Sequence, residues 1–153
     1  MDEASYLKLN IDEKNMNGAD IGCGARKVIP SAIGIDVARL EATDLSSGGN
    51  TYAEWVCDAH ILPFKDNTLD YVISRHVLEH MNWKIALLEW IRCLKPNGIM
   101  NLVVPNPDHL HHPGHGIPVK EVIDYLVCLG YSEISFTDLL DNYSWGLTLL
   151  LLN

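Results

Sequence analysis

The hydrophobic pattern of the chain alternates between short apolar runs and stretches with a helical period. Short runs rich in β-branched and aromatic residues predict strands, and apolar residues spaced three or four positions apart predict helices. The run Leu69–Ser74 is apolar through Tyr71, Val72 and Ile73, which is typical of a strand buried on both faces. The predicted strands are Ala19–Gly22, Ala32–Val37, Ala53–Asp58, Leu69–Ser74, Ile99–Val104, Glu133–Leu139 and Trp145–Leu152.

Two helices are predicted between the later strands. One runs from Trp83 to Leu94, and the other begins at Pro118 and ends before Gly130. Alternating strands and helices predict an α/β fold with an open, mostly parallel seven-stranded sheet, helices on both faces and an antiparallel last strand. No domain boundary is visible, so residues 1–153 are predicted to form a single domain.

The connection between the first two strands is unusually short. Only the nine residues Cys23–Ser31 separate them, whereas a parallel crossover with its helix usually needs about 10–12 or more. We therefore expect the first crossover helix to be shortened to a turn or absent.

Composition restricts the class of protein. The formal net charge of −9 disfavours nucleic acid as a partner, because nucleic-acid binding needs a basic face. The longest apolar run, Leu147–Leu152, is too short to span a membrane, and the first residues do not resemble a signal peptide. The four cysteines form no CxxC pair, so we expect free thiols and a cytoplasmic location.

Two patterns indicate a site for an adenosine-containing ligand. In Asp20-Ile21-Gly22-Cys23-Gly24, two glycines after a strand let the backbone approach a ligand closely. Asp36 ends the second strand, where a carboxylate can accept hydrogen bonds from both ribose hydroxyls. Alone, the first pattern also fits a tight turn and the second a capping aspartate. Together they favour the ligand site.

A third pattern is more specific. Cys57-Asp58-Ala59-His60 is followed by Leu62-Pro63-Phe64 and then by His76-Val77-Leu78-Glu79-His80. With these motifs in order, the segment from about Asp20 to Val104 resembles the class I S-adenosylmethionine-dependent methyltransferases. The likeness is closest to the small methyltransferase type 11-like branch, which has a D-[IL]-G-C-G turn, a D-A-x-x-L-P-F segment and an H-V-L-E-H helix start.

The resemblance implies a Rossmann-like fold, S-adenosylmethionine as cofactor, and methyl transfer to a small-molecule or protein acceptor. Asp20 would orient the methionine amino group and Asp36 would hold the ribose. Asp58 would accept the adenine amino group, and Ser74 would lie beneath the sulfonium. The complete set of implied cofactor-binding residues is Asp20, Gly22, Gly24, Asp36, Val37, Asp58, Ala59 and Ser74.

Histidines are the candidate acceptor-side residues. We predict catalytic or substrate-contact roles for His76, His109 and His112, the last two in a histidine-rich segment at residues 109–115. That segment fits a polar lid, a general base or substrate contact, or a metal site, and we assign no metal ligand. Glu79 and His80 are interpreted as structural.

The sequence departs from the family pattern near the expected site. It lacks the N-terminal helices that commonly cover such sites, so we expect an open pocket, or one completed by a protein partner or a second copy. Arg26 or Lys27 could pair with the methionine carboxylate, although a solvated surface charge is the favoured interpretation of both residues. The main alternative is therefore a non-catalytic or partner-completed binding module. A nicotinamide-dependent dehydrogenase is disfavoured because Lys27 replaces the third glycine, and a metal hydrolase would depend on the histidine-rich segment.

Overall fold

The computed structural model describes residues 1–37, 53–109, 114–140 and 142–152. His112, one of the predicted catalytic residues, lies outside this range. The elements in chain order are α1 (Glu3–Leu7), β1 (Gly18–Ile21), β2 (Ile33–Asp36), β3 (Trp55–Val56), β4 (Leu69–Arg75), a 3₁₀ helix (Leu78–His80), α2 (Trp83–Cys93), β5 (Leu94–Pro105), α3 (Val119–Cys128), β6 (Ile134–Leu139) and β7 (Ser144–Leu150).

The strands form one seven-stranded sheet in the order β3-β2-β1-β4-β5-β7-β6. Strands β1 to β5 pair in parallel, and β7 runs antiparallel to both β5 and β6. Between β1 and β2 the chain forms only turns. The mostly parallel sheet, the antiparallel last strand and the missing first crossover helix are therefore confirmed.

Helices pack on both faces of the sheet, as predicted. Trp90 of α2 and Leu126 of α3 belong to one buried cluster with Val72 and Leu102. Leu7 of α1 belongs to a second buried cluster on the opposite face. Because neighbouring residues of a strand point to opposite faces, β4 contributes Val72 to the first cluster but Tyr71 and Ile73 to the second.

The short helix α1 was not predicted from the sequence. It begins after Asp2, whose side chain accepts a 2.8 Å hydrogen bond from the backbone N–H of Ser5. The fully buried Asn101 donates from Nδ2 to the carbonyl oxygens of Leu7 (3.0 Å) and Leu9 (2.9 Å). These contacts fix the N-terminal segment against β5, because breaking them would leave buried polar groups unpaired.

The start of β5 and the length of β3 differ from the prediction. Helix α2 ends at Cys93, and β5 begins at Leu94 rather than Ile99. Residues 95–98, which separate the predicted helix from the predicted strand, are instead an irregular part of β5, with a register shift against β4 and a left-handed Asn97 (φ 64°). Strand β3 is only Trp55–Val56.

Two simpler expectations can also be compared with the structure. None of the four cysteines is in a disulfide. Within the described parts of the chain, every helix is too short or too polar to cross a bilayer.

Candidate functional site

The carboxyl ends of β1, β2 and β4 surround a cleft of about 700 Å³. This is the position where open α/β sheets bind ligands, and the volume falls in the range typical of small-molecule sites. Of the predicted cofactor-binding residues, the cleft is lined by Asp20, Gly22, Gly24, Asp36, Val37, Asp58 and Ala59.

The glycine turn forms one wall of the cleft. Gly22 (φ 71°) and Gly24 (φ 56°) both lie in the left-handed region. A Cβ added to Gly22 would lie 2.1 Å from Cγ2 of Val77, closer than any real contact. Only glycine therefore fits at position 22, where the backbone packs directly against the segment that follows β4.

Asp36 connects the end of β2 to the glycine turn. Its Oδ2 accepts a 2.9 Å hydrogen bond from the N–H of Gly24, and its Oδ1 accepts a 2.8 Å hydrogen bond from the N–H of Val37. Each carboxylate oxygen can accept a second bond. Asp36 can therefore brace the turn and still accept hydrogen bonds from a ligand.

Asp20 is the more deeply buried of the two buried acids that line the cleft, with 3% of its surface exposed against 6% for Asp36. Its Oδ2 accepts a 2.8 Å hydrogen bond from the N–H of Val28. Burial raises the pKa of Asp20 to about 6, although that hydrogen bond and the charges of Arg75 and Lys27 act in the opposite direction. A cationic ligand group would stabilise the ionised form of a carboxylate buried in this position.

The loop after β3 is held in place from both sides. Oδ1 of Asp58 accepts hydrogen bonds from the backbone N–H (2.8 Å) and ring Nδ1 (2.6 Å) of His60, which hold the pKa of Asp58 below its usual range. Nε2 of His60 accepts from the N–H of Asn82 (3.1 Å), so the ring proton lies on Nδ1. The buried Nε1 of Trp90 donates to the carbonyl of Ala59 (2.9 Å). Asp58 and Ala59 therefore lie on a loop whose position is fixed by these hydrogen bonds.

Ser74 is the one predicted cofactor-binding residue outside the cleft lining. It is 2% exposed, and its Oγ has no hydrogen-bond partner among the residues that the structure describes. The next residue, Arg75, lines the cleft instead and was missed by sequence reasoning. The alternation of side chains along β4 places Arg75 and Ser74 on opposite faces of the strand, but it does not indicate which of the two residues lines the cleft.

The two basic residues proposed from sequence, Arg26 and Lys27, differ in their position relative to the cleft. Lys27 contacts the carboxylate of Glu54 and donates to the carbonyl of Ala32, and it does not line the cleft. Arg26 does line it, together with Arg75. The cleft thus offers two arginines to an anionic ligand group.

His76 lies at the cleft, in a left-handed conformation (φ 56°) immediately after β4. Its Nε2 lies 2.8 Å from Oε1 of Glu3. The predicted catalytic residue His109 is absent from the cleft lining, but its ring packs edge-on against Tyr143, with centroids 5.4 Å apart. The ring of Tyr143 also lies 5.9 Å from that of His76, so the two histidines contact the same aromatic residue.

Comparison with known families decides the broad identity of the chain. The sequence profile described as "Methyltransferase domain" matches residues 19–102, more than half of the chain. The chain belongs to this methyltransferase domain family. The resemblance to class I S-adenosylmethionine-dependent methyltransferases is thereby confirmed, and the matched segment contains all three motifs that line the cleft.

One curated relative of this methyltransferase domain is an uncharacterised protein of Methanocaldococcus jannaschii. It is 37% identical over 91 residues, which cover 57% of this chain and 36% of that protein. The chain thus matches only about a third of the relative's length.

Solved structures share the fold at low sequence identity. A possible histamine N-methyltransferase of Thermotoga maritima has a TM-score of 0.75 at 15% identity, over 97% of this chain and 87% of that one. A putative methyltransferase complexed with the Trm112 activator of Haloferax volcanii has a TM-score of 0.73 at 16% identity, over 96% and 86%. Phosphoethanolamine N-methyltransferase 2 of Haemonchus contortus, bound to S-adenosylmethionine, has a TM-score of 0.72 at 14% identity, over 97% and 52%.

Proposed function

We propose that this methyltransferase domain binds S-adenosylmethionine in the cleft and transfers its methyl group to a small-molecule or protein acceptor. The observation that carries the proposal is the convergence of three sequence motifs. The glycine turn after β1, Asp36 at the end of β2 and the Asp58–Ala59 loop after β3 are far apart along the chain but line one cleft.

The adenosine portion fits the β2 and β3 side of the cleft. Asp36 retains acceptor capacity for the ribose hydroxyls while it braces Gly24. Oδ2 of Asp58 makes none of the two bonds to His60, so it can accept the adenine amino group. Val37 is 60% exposed and offers an apolar side chain to the adenine face.

The methionine portion fits the β1 and β4 side. An ammonium group would stabilise the ionised form of Asp20, whose burial otherwise disfavours charge. Arg26 and Arg75 line the same cleft and would pair with the carboxylate. This part of the site therefore suits a zwitterionic amino-acid group.

When bound, S-adenosylmethionine would supply an electrophilic methyl group for a nucleophilic atom of the acceptor, and the electron pair of the broken carbon–sulfur bond would stay on the sulfur of the departing S-adenosylhomocysteine. The chain contributes mainly by holding the two reactants in line, and such positioning supplies a large part of a rate enhancement. An acceptor that must lose a proton needs a base at the cleft. In our proposal, His76 donates from Nε2 to Glu3 and accepts that proton at Nδ1, and His109 and His112 contact the acceptor.

Calorimetric titration with S-adenosylmethionine and with S-adenosylhomocysteine tests the cofactor site. We expect binding by the wild type and about tenfold or more weaker binding by Asp36→Asn and Asp58→Asn, since each removes a charged acceptor. Asp138→Asn is the matched control, because Asp138 is an exposed residue of β6 at the far edge of the sheet. Equal affinity in all four proteins would contradict the assignment.

The alternative is a binding module whose site is completed by a protein partner. The Haloferax volcanii methyltransferase is described in complex with an activator protein, and it shares this fold. Strand β3 is the edge of the sheet and exposes Trp55 (42%) and Val56 (41%), which are suitable for contact with another protein. A folded wild-type chain that binds neither cofactor form would favour this alternative.

A further inference from the structure

A buried carboxylate lies beside two histidines at the margin of the cleft. The side chain of Glu79, in the 3₁₀ helix, is only 2% exposed, and neither of its oxygens makes a hydrogen bond within the described part of the chain. Nε2 of His80 lies 3.5 Å from Oε1 of Glu79, and Nε2 of His115 lies 4.0 Å from the same atom. One ligand atom from each of the three residues can be chosen so that all lie within 4.8 Å of one another.

These distances fit a cation better than direct hydrogen bonds. Both exceed the usual hydrogen-bond range of about 2.7–3.2 Å. Two ligand atoms that each lie about 2.1 Å from a tetrahedral zinc ion are about 3.4 Å apart, close to the separation of Glu79 and His80. A carboxylate buried without a hydrogen bond is costly unless it pairs with a charge or coordinates a metal.

We propose that Glu79, His80 and His115 bind a divalent transition-metal ion such as zinc or manganese. Two imidazoles and one carboxylate suit these metals, whereas calcium and magnesium sites are built from oxygen ligands. Three protein ligands leave a coordination position open, as in catalytic metal sites.

The position of His80 connects this metal site to the cleft. His80 lines the cleft with 59% of its side chain exposed, next to Met81 and near His76 along the chain. An oxygen or nitrogen atom of a methyl acceptor could therefore occupy the open position of the metal. That role rests on the proposed function, but metal binding itself does not.

The proposal revises the interpretation of Glu79 and His80 as structural. Sequence alone does not show that His115, the last residue of the 109–115 segment, lies beside the 3₁₀ helix that follows β4. The rings of His80 and His115 lie 5.3 Å apart in the structure. That approach supplies the third ligand.

Titration with Co²⁺ tests the site directly. Protein freed of metal with a chelator is titrated with Co²⁺, and visible absorption reports nitrogen and oxygen ligation; Zn²⁺ is then added to displace it. We expect one Co²⁺ per chain in the wild type and about tenfold or more weaker binding in Glu79→Gln and in His115→Ala. His109→Ala is the control for a histidine of the same segment that is not a ligand, and it should retain wild-type affinity.

Two results would overturn the proposal. One is wild-type protein that gives no Co²⁺ spectrum and binds no Zn²⁺ in calorimetry. The other is wild-type affinity in both ligand variants, which would place the metal on other histidines.

Two further measurements distinguish a loss of metal binding from misfolding of a variant and from failure of the proposed cofactor site. Added Zn²⁺ should raise the melting temperature of the wild type but not that of Glu79→Gln. Titration of the same metal-free proteins with S-adenosylhomocysteine reports the donor site independently. Donor binding without metal binding would remove this inference and leave the proposed function in place, and the reverse result would do the opposite.

Discussion

Oε1 of Glu3 lies 2.8 Å from Nε2 of His76 and accepts a 2.7 Å hydrogen bond from Oγ of Ser144. One carboxylate therefore joins α1, the end of β4 and the start of β7. Burial would raise the pKa of Glu3, but the hydrogen bonds from His76 and Ser144 and the charge of Arg75 outweigh it and hold the pKa below its usual 4.5. The N-terminal helix thus orients a histidine of the cleft.

Glu3→Gln should destabilise the protein by about 1–2 kcal/mol at pH 7, because it weakens charge-assisted hydrogen bonds. A pKa lowered on folding gives stability that is present above the unfolded value of 4.5 and lost as pH falls through the folded value. The difference between wild type and Glu3→Gln should therefore shrink as pH falls below about 4.5. Urea denaturation from pH 7 to pH 3 measures it.

The control for this series is Glu133→Gln, which removes an exposed carboxylate just before β6. It should change stability by less than about 0.5 kcal/mol. A destabilisation by Glu3→Gln that stayed constant across the pH range would show that the charge of Glu3 is not its cause.

Asp20 should behave in the opposite sense. Its pKa is raised on folding from 3.8 to about 6, so its stabilising contribution is complete below pH 3.8 and is lost as pH rises to about 6. Asp20→Asn keeps an acceptor for the N–H of Val28 and removes the buried charge. At pH 7 the variant should therefore be more stable than wild type, by up to about 3 kcal/mol, with little difference at pH 3.5.

The same substitution should weaken cofactor binding, because the proposed partner of the methionine ammonium is lost. Calorimetry with S-adenosylhomocysteine at pH 7 should show about a tenfold lower affinity for Asp20→Asn. If Asp20→Asn were more stable than wild type and bound S-adenosylhomocysteine with equal affinity, a binding role for Asp20 would be ruled out. The buried charge of Asp20 would then only destabilise the fold.

Gly22→Ala should combine two penalties, since position 22 has both a positive φ and a close neighbour. The left-handed backbone costs about 1–2 kcal/mol for a residue with a Cβ, and the clash with Val77 costs about 1–3 kcal/mol more. Gly130→Ala is the matched control, because Gly130 has a φ of 96° but no atom within 4 Å of an added Cβ.

Adding Val77→Ala to Gly22→Ala should recover part of the lost stability by removing the clash. Chemical denaturation of the single and double variants measures this coupling. Strictly additive effects would contradict a direct contact between the glycine turn and the segment after β4.

The sequence predicted those parts of the fold that depend on a local pattern of apolar residues or on the length of a connection. The apolar run Tyr71–Ile73 within Leu69–Ser74 marks β4, and the nine residues between the first two strands already exclude a regular crossover helix. Helix α1 was missed because five residues are too few to show a period, and its position depends on the distant Asn101. The start of β5 was misplaced because a bulge at Asn97 reads as a turn.

In the candidate site too, residues within local motifs were predicted and contacts between distant residues were not. Residues within motifs, such as Asp36 and Asp58, were predicted because strand ends of a parallel sheet meet at one edge. Partnerships across the fold were not, because nothing local connects Glu3 to His76 or Glu79 to His115. Ser74 was predicted and Arg75 was not, because a motif gives a position along the chain but not the face of the strand.

The loop that contains Asp58 and Ala59 provides the last prediction, because a buried hydrogen bond from α2 is one of the contacts that hold it in place. Trp90→Phe removes the Nε1 donor and leaves the carbonyl of Ala59 buried without it, which should cost about 1–3 kcal/mol. Trp145→Phe is the matched control, since Nε1 of Trp145 makes a similar buried hydrogen bond, 2.7 Å long, to the carbonyl of Ile117. Neither Trp145 nor Ile117 lines the cleft. Both variants should therefore lose comparable stability in denaturation, but only Trp90→Phe should also bind S-adenosylhomocysteine more weakly in calorimetry. Equal loss of affinity in both would mean that general destabilisation, rather than the position of the loop, controls the adenine side of the site.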